Sequence, residues 1–463
     1  MEKPMKKKKR KFSEIGHAST YSSRFFSEEV PKFVFPKNSM PANAAYQLVH
    51  DELDLDANPA LNLASFVTTW MEPEAKQLIQ ENLHKNFIDH DEYPQTQVIH
   101  QRCVTMLMDL FNMPDPNKGI GSATIGSSEA IMLSLLAHKW NWKKKNPRTT
   151  SQPNIVFGSE VHVCWEKFAR YFEVEMRVIP IHKNRYIVQA NEILQNVDEN
   201  TICVGAILGT TYTGQSDPIS EINQALVNLK KTKGLNIPIH VDAASGGFIL
   251  PFTDPKFAWD FRLEQVQSIN VSGHKYGLVF PGLGWMLWKE AKTFPEELIF
   301  KVNYLGGWMP TYTLNFSCNS INVIAQYYNF LRLGKKGYKN IMQNCLKNAQ
   351  YLASLMQKAG PFELINKGER LPIVAMKLKS SVKKFSVFDL SHKLREKGWV
   401  VSAYTLPKNA EKVAIMRVVV KENFSHDMAE IFFKDLQDSI AYLSTSLKKK
   451  RQKKRKEKHH PIC

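Results

Sequence analysis

No apolar run reaches 18 residues, so the sequence predicts no membrane-spanning helix. No apolar stretch follows the lysine-rich start, which argues against a secretory signal. Cysteine is sparse, with six in 463 residues at Cys103, Cys164, Cys203, Cys318, Cys345 and Cys463. They fall without C-x-x-C or histidine-rich spacing, so a disulfide framework and a zinc site are not expected, no metal ligand is assigned, and reduced thiols point to a cytoplasmic protein. No Gly-Lys-Ser/Thr follows the glycines at 121 and 126, which excludes a nucleotide P-loop. Internal repeats are absent too.

Charge of one sign is confined to the ends. The net charge is +18, of which residues 1–12 carry +6 and residues 448–458 carry +8, leaving about +4 for everything between. The near-neutral body argues against a nucleic-acid groove, and the ends read as solvated basic tails. An apolar content of 43% and a length of 463 residues suit a folded protein of two domains.

Residues 1–60 read as an N-terminal arm with a disordered basic start and one helix over 44–53. Helical periodicity follows at 73–82 and 97–110. From 121 to 130 two glycines and four hydroxyl residues lead into an apolar helix expected over 130–142, whose start, with Ser127 and Ser128, suits either a plain N-cap or an anion cradle. Apolar, β-rich runs at 154–157, 174–181, 201–208, 237–241, 268–272 and 284–288 then alternate with helical or loop segments, the pattern of an α/β domain around a largely parallel sheet. Helix is expected over 321–333 and again over 338–358, punctuated by Gly334 and Gly337. Beyond lie a strand at 372–378, a helix at 387–397, strands at 399–403 and 413–420, and a last helix at 428–447. The domains expected are a large one over 61–341, a small α+β one over 342–447, and a basic tail over 448–463.

Two residues at strand ends carry the chemistry. Lys275, in Ser272-Gly273-His274-Lys275-Tyr276, follows the run at 268–271, and a lysine buried there suits Schiff-base chemistry, since only the neutral amine is a nucleophile. Asp242, in His240-Val241-Asp242-Ala243-Ala244, ends the run before it. Such a pair suits pyridoxal 5'-phosphate, with the lysine on the aldehyde and the aspartate on the pyridinium nitrogen.

With Gly126-Ser127-Ser128-Glu129-Ala130, these motifs occur in order, and the chain resembles the pyridoxal-phosphate-dependent amino-acid decarboxylases. Asn62-Leu63-Ala64-Ser65-Phe66, Asp91-Glu92-Tyr93-Pro94-Gln95, the run 165–171 and Tyr304-Leu305-Gly306-Gly307 make it similar to the bacterial and plant glutamate decarboxylases over about residues 22–445. The resemblance implies the aspartate-aminotransferase-like fold, with a mostly parallel large domain and an α+β small domain. It implies Lys275, His274 and Asp242 as catalytic residues. Cofactor contacts would come from Ser127, Ser128, His162, Thr211, Asp242, Ala244, His274 and Lys275, with Ser317 from a neighbouring subunit. Arg417 would clamp the α-carboxylate, while Ser65, Phe66, Asn86 and Asp89, the last two across a subunit interface, would bind the distal carboxylate of L-glutamate. Glutamate would then yield 4-aminobutyrate (GABA) and CO2 with uptake of a proton, in a homo-oligomer whose minimal unit is a dimer and which in this family extends to a hexamer. The competing readings are a decarboxylase or lyase acting on another amino acid and a non-enzymatic, nucleic-acid-binding protein that uses the basic tails. The resemblance also offers a C-terminal histidine lock through His459 or His460, against which a solvated, uninvolved tail is the favoured expectation.

Overall fold

The structure is a computed structural model that describes residues 33–148, 150–303 and 309–457, with side chains as far as residue 445. The basic start, the Tyr304–Gly307 run, His459 and His460 lie outside the described residues. The chain divides after Asn58 into two compact units. In the first, the described element is α1 (Ala42–Leu53), longer by two residues than the periodicity predicts.

The second unit continues with α2 (Pro73–Glu81), α3 (Pro94–Leu110), β1 (Ile120–Thr124), α4 (Ser127–Lys145), β2 (Asn154–Gly158), α5 (Val163–Tyr171), β3 (Glu175–Ile179) and α6 (Ala190–Asn196). Then come β4 (Thr201–Ile207), α7 (Ile219–Lys233), β5 (Ile239–Asp242), α8 (Leu250–Thr253), β6 (Val266–Val271), β7 (Gly284–Trp288), β8 (Phe300–Val302) and β9 (Met309–Thr311). The remainder is α9 (Ile321–Lys358), β10 (Phe362–Lys367), β11 (Ile373–Leu378), α10 (Val387–Arg395), β12 (Ser402–Thr405), β13 (Ala414–Val419) and α11 (His426–Glu457). Among the described residues no helix is long and apolar enough to cross a membrane.

Seven strands form one sheet in the order β1-β7-β6-β5-β4-β2-β3. All run parallel except β7, which pairs antiparallel with both β1 and β6. β2, β4 and β5 are buried along their whole length, which is why they read as continuous apolar runs rather than alternating ones. The carboxyl ends of the parallel strands therefore share one edge, where such sheets collect ligands. A second, antiparallel sheet of order β10-β11-β13-β12 packs with α10, α11 and the latter part of α9 around its own core, including Leu352, Met376, Trp399, Met416 and Phe432.

Several boundaries differ from the sequence expectation, each for a local reason. β1 was not expected: Gly-Ser-Ala-Thr has weak strand propensity, and its register is imposed by β7, Gly121 opposite Leu287 and Ala123 opposite Trp285. α4 begins at Ser127 rather than 130. The strand expected at 399–403 is found at Ser402–Thr405. The helices expected on either side of 334–337 are continuous as α9 except at Gly334, whose φ of 54° turns the backbone out of helical geometry. Finally, α11 continues to Glu457, past the expected end at 447, because the Lys, Arg, Gln and Glu that follow are good helix formers and no glycine or proline intervenes.

Candidate active site

A cavity of about 460 Å³ opens at the carboxyl edge of the large sheet. Apart from Ser317, all the cofactor residues expected from the sequence line it.

Asp242 closes β5 and is 6% exposed. Its Oδ1 accepts from Asn270 Nδ2 at 2.9 Å and from the Ala244 amide at 3.1 Å, while Oδ2 accepts from Trp165 Nε1 at 3.3 Å. Three N–H donors match a carboxylate, which can only accept. Lys275 sits in the turn after β6, where its Nζ donates to Ser245 Oγ at 3.4 Å. Burial pulls its ammonium below the ordinary lysine range, an effect the Asp242 carboxylate opposes.

The start of α4 faces the same space. Its N-cap is Gly126 and no side chain caps it, so the first amides of a 19-residue helix are presented with the dipole behind them. Ser127 Oγ lies 2.7 Å from Ser272 Oγ, and Ser128 is exposed to the cavity. Glycine is required at 284, because a Cβ there would stand 2.3 Å from Gly126 C and 2.5 Å from Ser127 N. The His274 ring lies against Gly126; its Nδ1 accepts from the Leu283 amide at 3.1 Å, leaving the N–H on Nε2, and burial followed by the Lys275 charge lowers it to about 4. His162 caps α5, its Nδ1 accepting from the Cys164 amide at 3.3 Å, and burial lowers its pKa from the ordinary imidazole value.

The loop carrying Ser65 and Phe66 is pinned to the lysine turn: the Thr68 amide donates to His274 O at 2.9 Å, and Thr68 Oγ1 to Lys275 O at 2.6 Å. The Phe66 ring lies between two cations, with Lys275 Nζ 5.2 Å and Arg417 Cζ 4.7 Å from its centroid. Ser65 Oγ accepts from the Val67 amide at 3.1 Å, so its O–H remains free to donate. Arg417, on β13, is 5% exposed; its guanidinium donates to Thr211 O and, at 2.6 Å, to Ala64 O, while Nε is buried without an acceptor. Asn86, Asp89 and Ser317 are not brought to this cavity. They form a separate surface group, in which Asn86 Nδ2 donates to Ser317 Oγ at 3.4 Å, Asn86 Oδ1 accepts from the Cys318 amide, and the Asp89 amide donates to Asn86 O.

Sequence reasoning missed Trp165, Ser245, Asn270 and Ser272 as partners of the predicted residues, and Glu160 and Cys164 as cavity lining. For Asn270 and Ser272 a signal existed, since polar residues alternate through Ser268-Ile269-Asn270-Val271-Ser272 on an otherwise buried strand. For Glu160 there was none.

A half-buried lysine and a buried aspartate at neighbouring strand ends of an α/β sheet, facing an uncapped helix start, define a pyridoxal-phosphate-dependent enzyme. The fit is chemical as well as spatial: an amine for the aldehyde, an acceptor for the ring N–H and free amides for the phosphate. Residues 36–379 match the pyridoxal-dependent decarboxylase conserved domain. A glutamate decarboxylase from Solanum lycopersicum is 51% identical over 92% of this chain and 86% of its own, and one from Aliivibrio fischeri is 47% identical over 92% of each. The solved structure of a Lactobacillus brevis glutamate decarboxylase superposes with a TM-score of 0.87 at 43% identity, covering 90% of this chain and 96% of that one. The chain belongs to the pyridoxal-dependent decarboxylase family, among its glutamate decarboxylases.

Proposed function

We propose that this protein removes the α-carboxylate of L-glutamate, giving 4-aminobutyrate and CO2 and taking up one proton per turnover. The observation that carries this reading is identity of about one half, over nine-tenths of the chain, to plant and bacterial proteins named for that reaction. Bound pyridoxal phosphate supplies an electron sink for the pair left on Cα when CO2 departs.

The chain's own residues do the rest. Lys275 holds the cofactor's aldehyde, and its desolvation brings the neutral, nucleophilic amine within reach. Asp242 accepts the ring N–H. Ser127, Ser128, the free amides of α4 and the Nε2–H of His274 would hold the phosphate, and His162, Thr211 and Ala244, which line the same cavity, would contact the rest of the cofactor. Arg417 takes the α-carboxylate; its buried, unpartnered Nε–H is the donor such an anion would satisfy. Ser65 and Phe66 bound the distal carboxylate, with Phe66 also excluding water from the lysine. Lys275 returns the proton to Cα, because a neutral imidazole at His274 is a poor acid. Asn86, Asp89 and Ser317 form one surface group, and we assign that group to the site of a second copy, so that the working unit is at least a dimer. Buried, unpaired thiols at Cys103, Cys164, Cys203 and Cys345 support a reducing, cytoplasmic setting.

The test is product analysis of the cofactor-loaded protein against a panel of amino acids. Amine and CO2 are expected from L-glutamate alone, and release from aspartate or an aromatic substrate would refute the assignment of the distal pocket. Lys275→Ala should abolish both turnover and the yellow colour.

A further inference from the structure

β5 and β6 pair in parallel with His240 opposite Ser268 and Asp242 opposite Asn270. Each pair of residues is two apart on its strand, so all four side chains point to the same face. They form a continuous chain of contacts with His138 of α4. His138 Nε2 lies 2.8 Å from Ser268 Oγ, Ser268 Oγ lies 2.8 Å from His240 Nδ1, and His240 Nε2 lies 2.9 Å from Asn270 Oδ1. Asn270 Nδ2 then donates to Asp242 Oδ1 at 2.9 Å. His138 is 2% exposed, and His240, Ser268 and Asn270 are fully buried.

The proton positions follow from the carboxylate end. Asp242 only accepts, so Asn270 turns its NH2 toward it and its carbonyl toward His240. That carbonyl requires an N–H on His240 Nε2. A neutral His240 then has a bare Nδ1, which takes the Ser268 O–H. The Ser268 oxygen in turn takes the Nε2–H of His138. Burial supports neutrality at both rings, lowering His240 to about 4 and His138 well below its ordinary value. Every bond thus donates in one direction, and aligned donors strengthen one another at low dielectric. Were His240 the other tautomer, Asn270 would have to turn its carbonyl toward Asp242, placing two acceptors face to face.

We infer that His138, Ser268, His240 and Asn270 are positioning residues, a one-way hydrogen-bond relay that fixes His240 as the Nε2–H tautomer and thereby orients Asp242 against the cofactor's ring nitrogen. This rests on the reading of Asp242 as the partner of that nitrogen. Trp165 braces the same assembly, its ring tilted over His240 at 5.6 Å while its Nε1 donates to Asp242, in space left free by Gly205.

Neutron diffraction from crystals of the wild-type holoenzyme tests the relay directly. Deuterons are expected on Nε2 of both histidines and on Ser268 Oγ directed at His240. A deuteron on His240 Nδ1, alone or beside one on Nε2, overturns it. Cofactor release provides the second measurement: losing the buried hydrogen bond that holds the Asn270 amide facing Asp242 should speed release about 10-fold in His240→Leu. His240→Gln, whose amide can donate to Asn270 and accept from Ser268, should stay within about 3-fold of wild type. Equal effects of Leu and Gln would mark His240 as packing only and sink the relay, with the melting temperature of each apoprotein reporting whether it folds. Asp242→Asn separates the two ideas. If it leaves release unchanged, the assignment of Asp242 itself fails, whereas fast release from Asp242→Asn with no difference between wild type and His240→Leu removes the relay alone.

Discussion

Glu160 and Asp217 are each 1% exposed, and no cation among the described residues figures in the electrostatics of either. Asp217 Oδ2 accepts from the Ile207 amide at 2.7 Å, and the Glu160 carboxyl faces Asp217 with the Glu160 and Val188 amides beside it. Two carboxyl groups in mutual contact are satisfied only if they share a proton, and burial with mutual repulsion accordingly raises Glu160 well above its ordinary value and, by burial, Asp217 to about 6. The Glu160 carboxyl folds over Gly158, where a Cβ would lie 2.3 Å from its oxygens. Since the folded pair binds a proton that the unfolded chain releases above about pH 4, its stabilisation is present in acid and is lost as pH rises through 6 and beyond. Glu160→Gln replaces the shared proton with an amide donor. Its melting temperature should depend less steeply on pH than wild type between about pH 5 and 8, with a gain of about 1 kcal/mol at the upper end. Parallel melting curves for the two proteins would show that the pair is not sharing a proton.

At the scale of elements, the start of α4 is set by its neighbours. β7 passes so close that Gly284 touches the backbone of Gly126 and Ser127, and Glu129 ties the first turn down, Oε2 accepting from the Ile125 amide at 2.8 Å and Oε1 from the Asn315 amide at 3.0 Å. Gly284→Ala would have to push this backbone aside, since no flexible side chain can yield. Overpacking of this kind costs about 1–3 kcal/mol, and the displacement falls on the amides proposed to hold the phosphate. Cofactor titration of the variant should show affinity weakened by at least about 10-fold, alongside a lower melting temperature. Unchanged affinity would mean that the phosphate is held elsewhere. The elements that sequence reasoning placed well were the buried parallel strands, because burial on both faces leaves no alternative to an apolar run. β1 escaped it because its identity as a strand depends on β7, more than 150 residues away in sequence.

For the whole molecule, the group formed by Asn86, Asp89 and Ser317 matters most. Within one chain it lies apart from the lysine, yet its residues are held to one another. If it completes the site of a second copy, chains disabled by Lys275→Ala and chains disabled by Asn86→Ala with Asp89→Ala should complement. Mixed after dissociation and reassociation, half of the dimers are hybrids with one intact site of two, so about a quarter of wild-type activity should return. No recovery would place the group outside catalysis.

Lys275, Asp242, Ser127 and Ser128 were legible in the sequence, because each stands where an apolar strand or helix begins or ends, and such boundaries are written in local composition. The cofactor class and the α/β architecture follow from the same signals. What the sequence left open was everything that depends on register between distant segments. The pairing of His240 with Ser268 and of Asp242 with Asn270, the seat of Phe66 between Lys275 and Arg417, and the meeting of Glu160 with Asp217 each join residues from separate elements. No periodicity encodes them. They exist because the folded sheet sets strand beside strand at one fixed offset and leaves buried polar groups to find partners there, which is a decision only the tertiary structure makes.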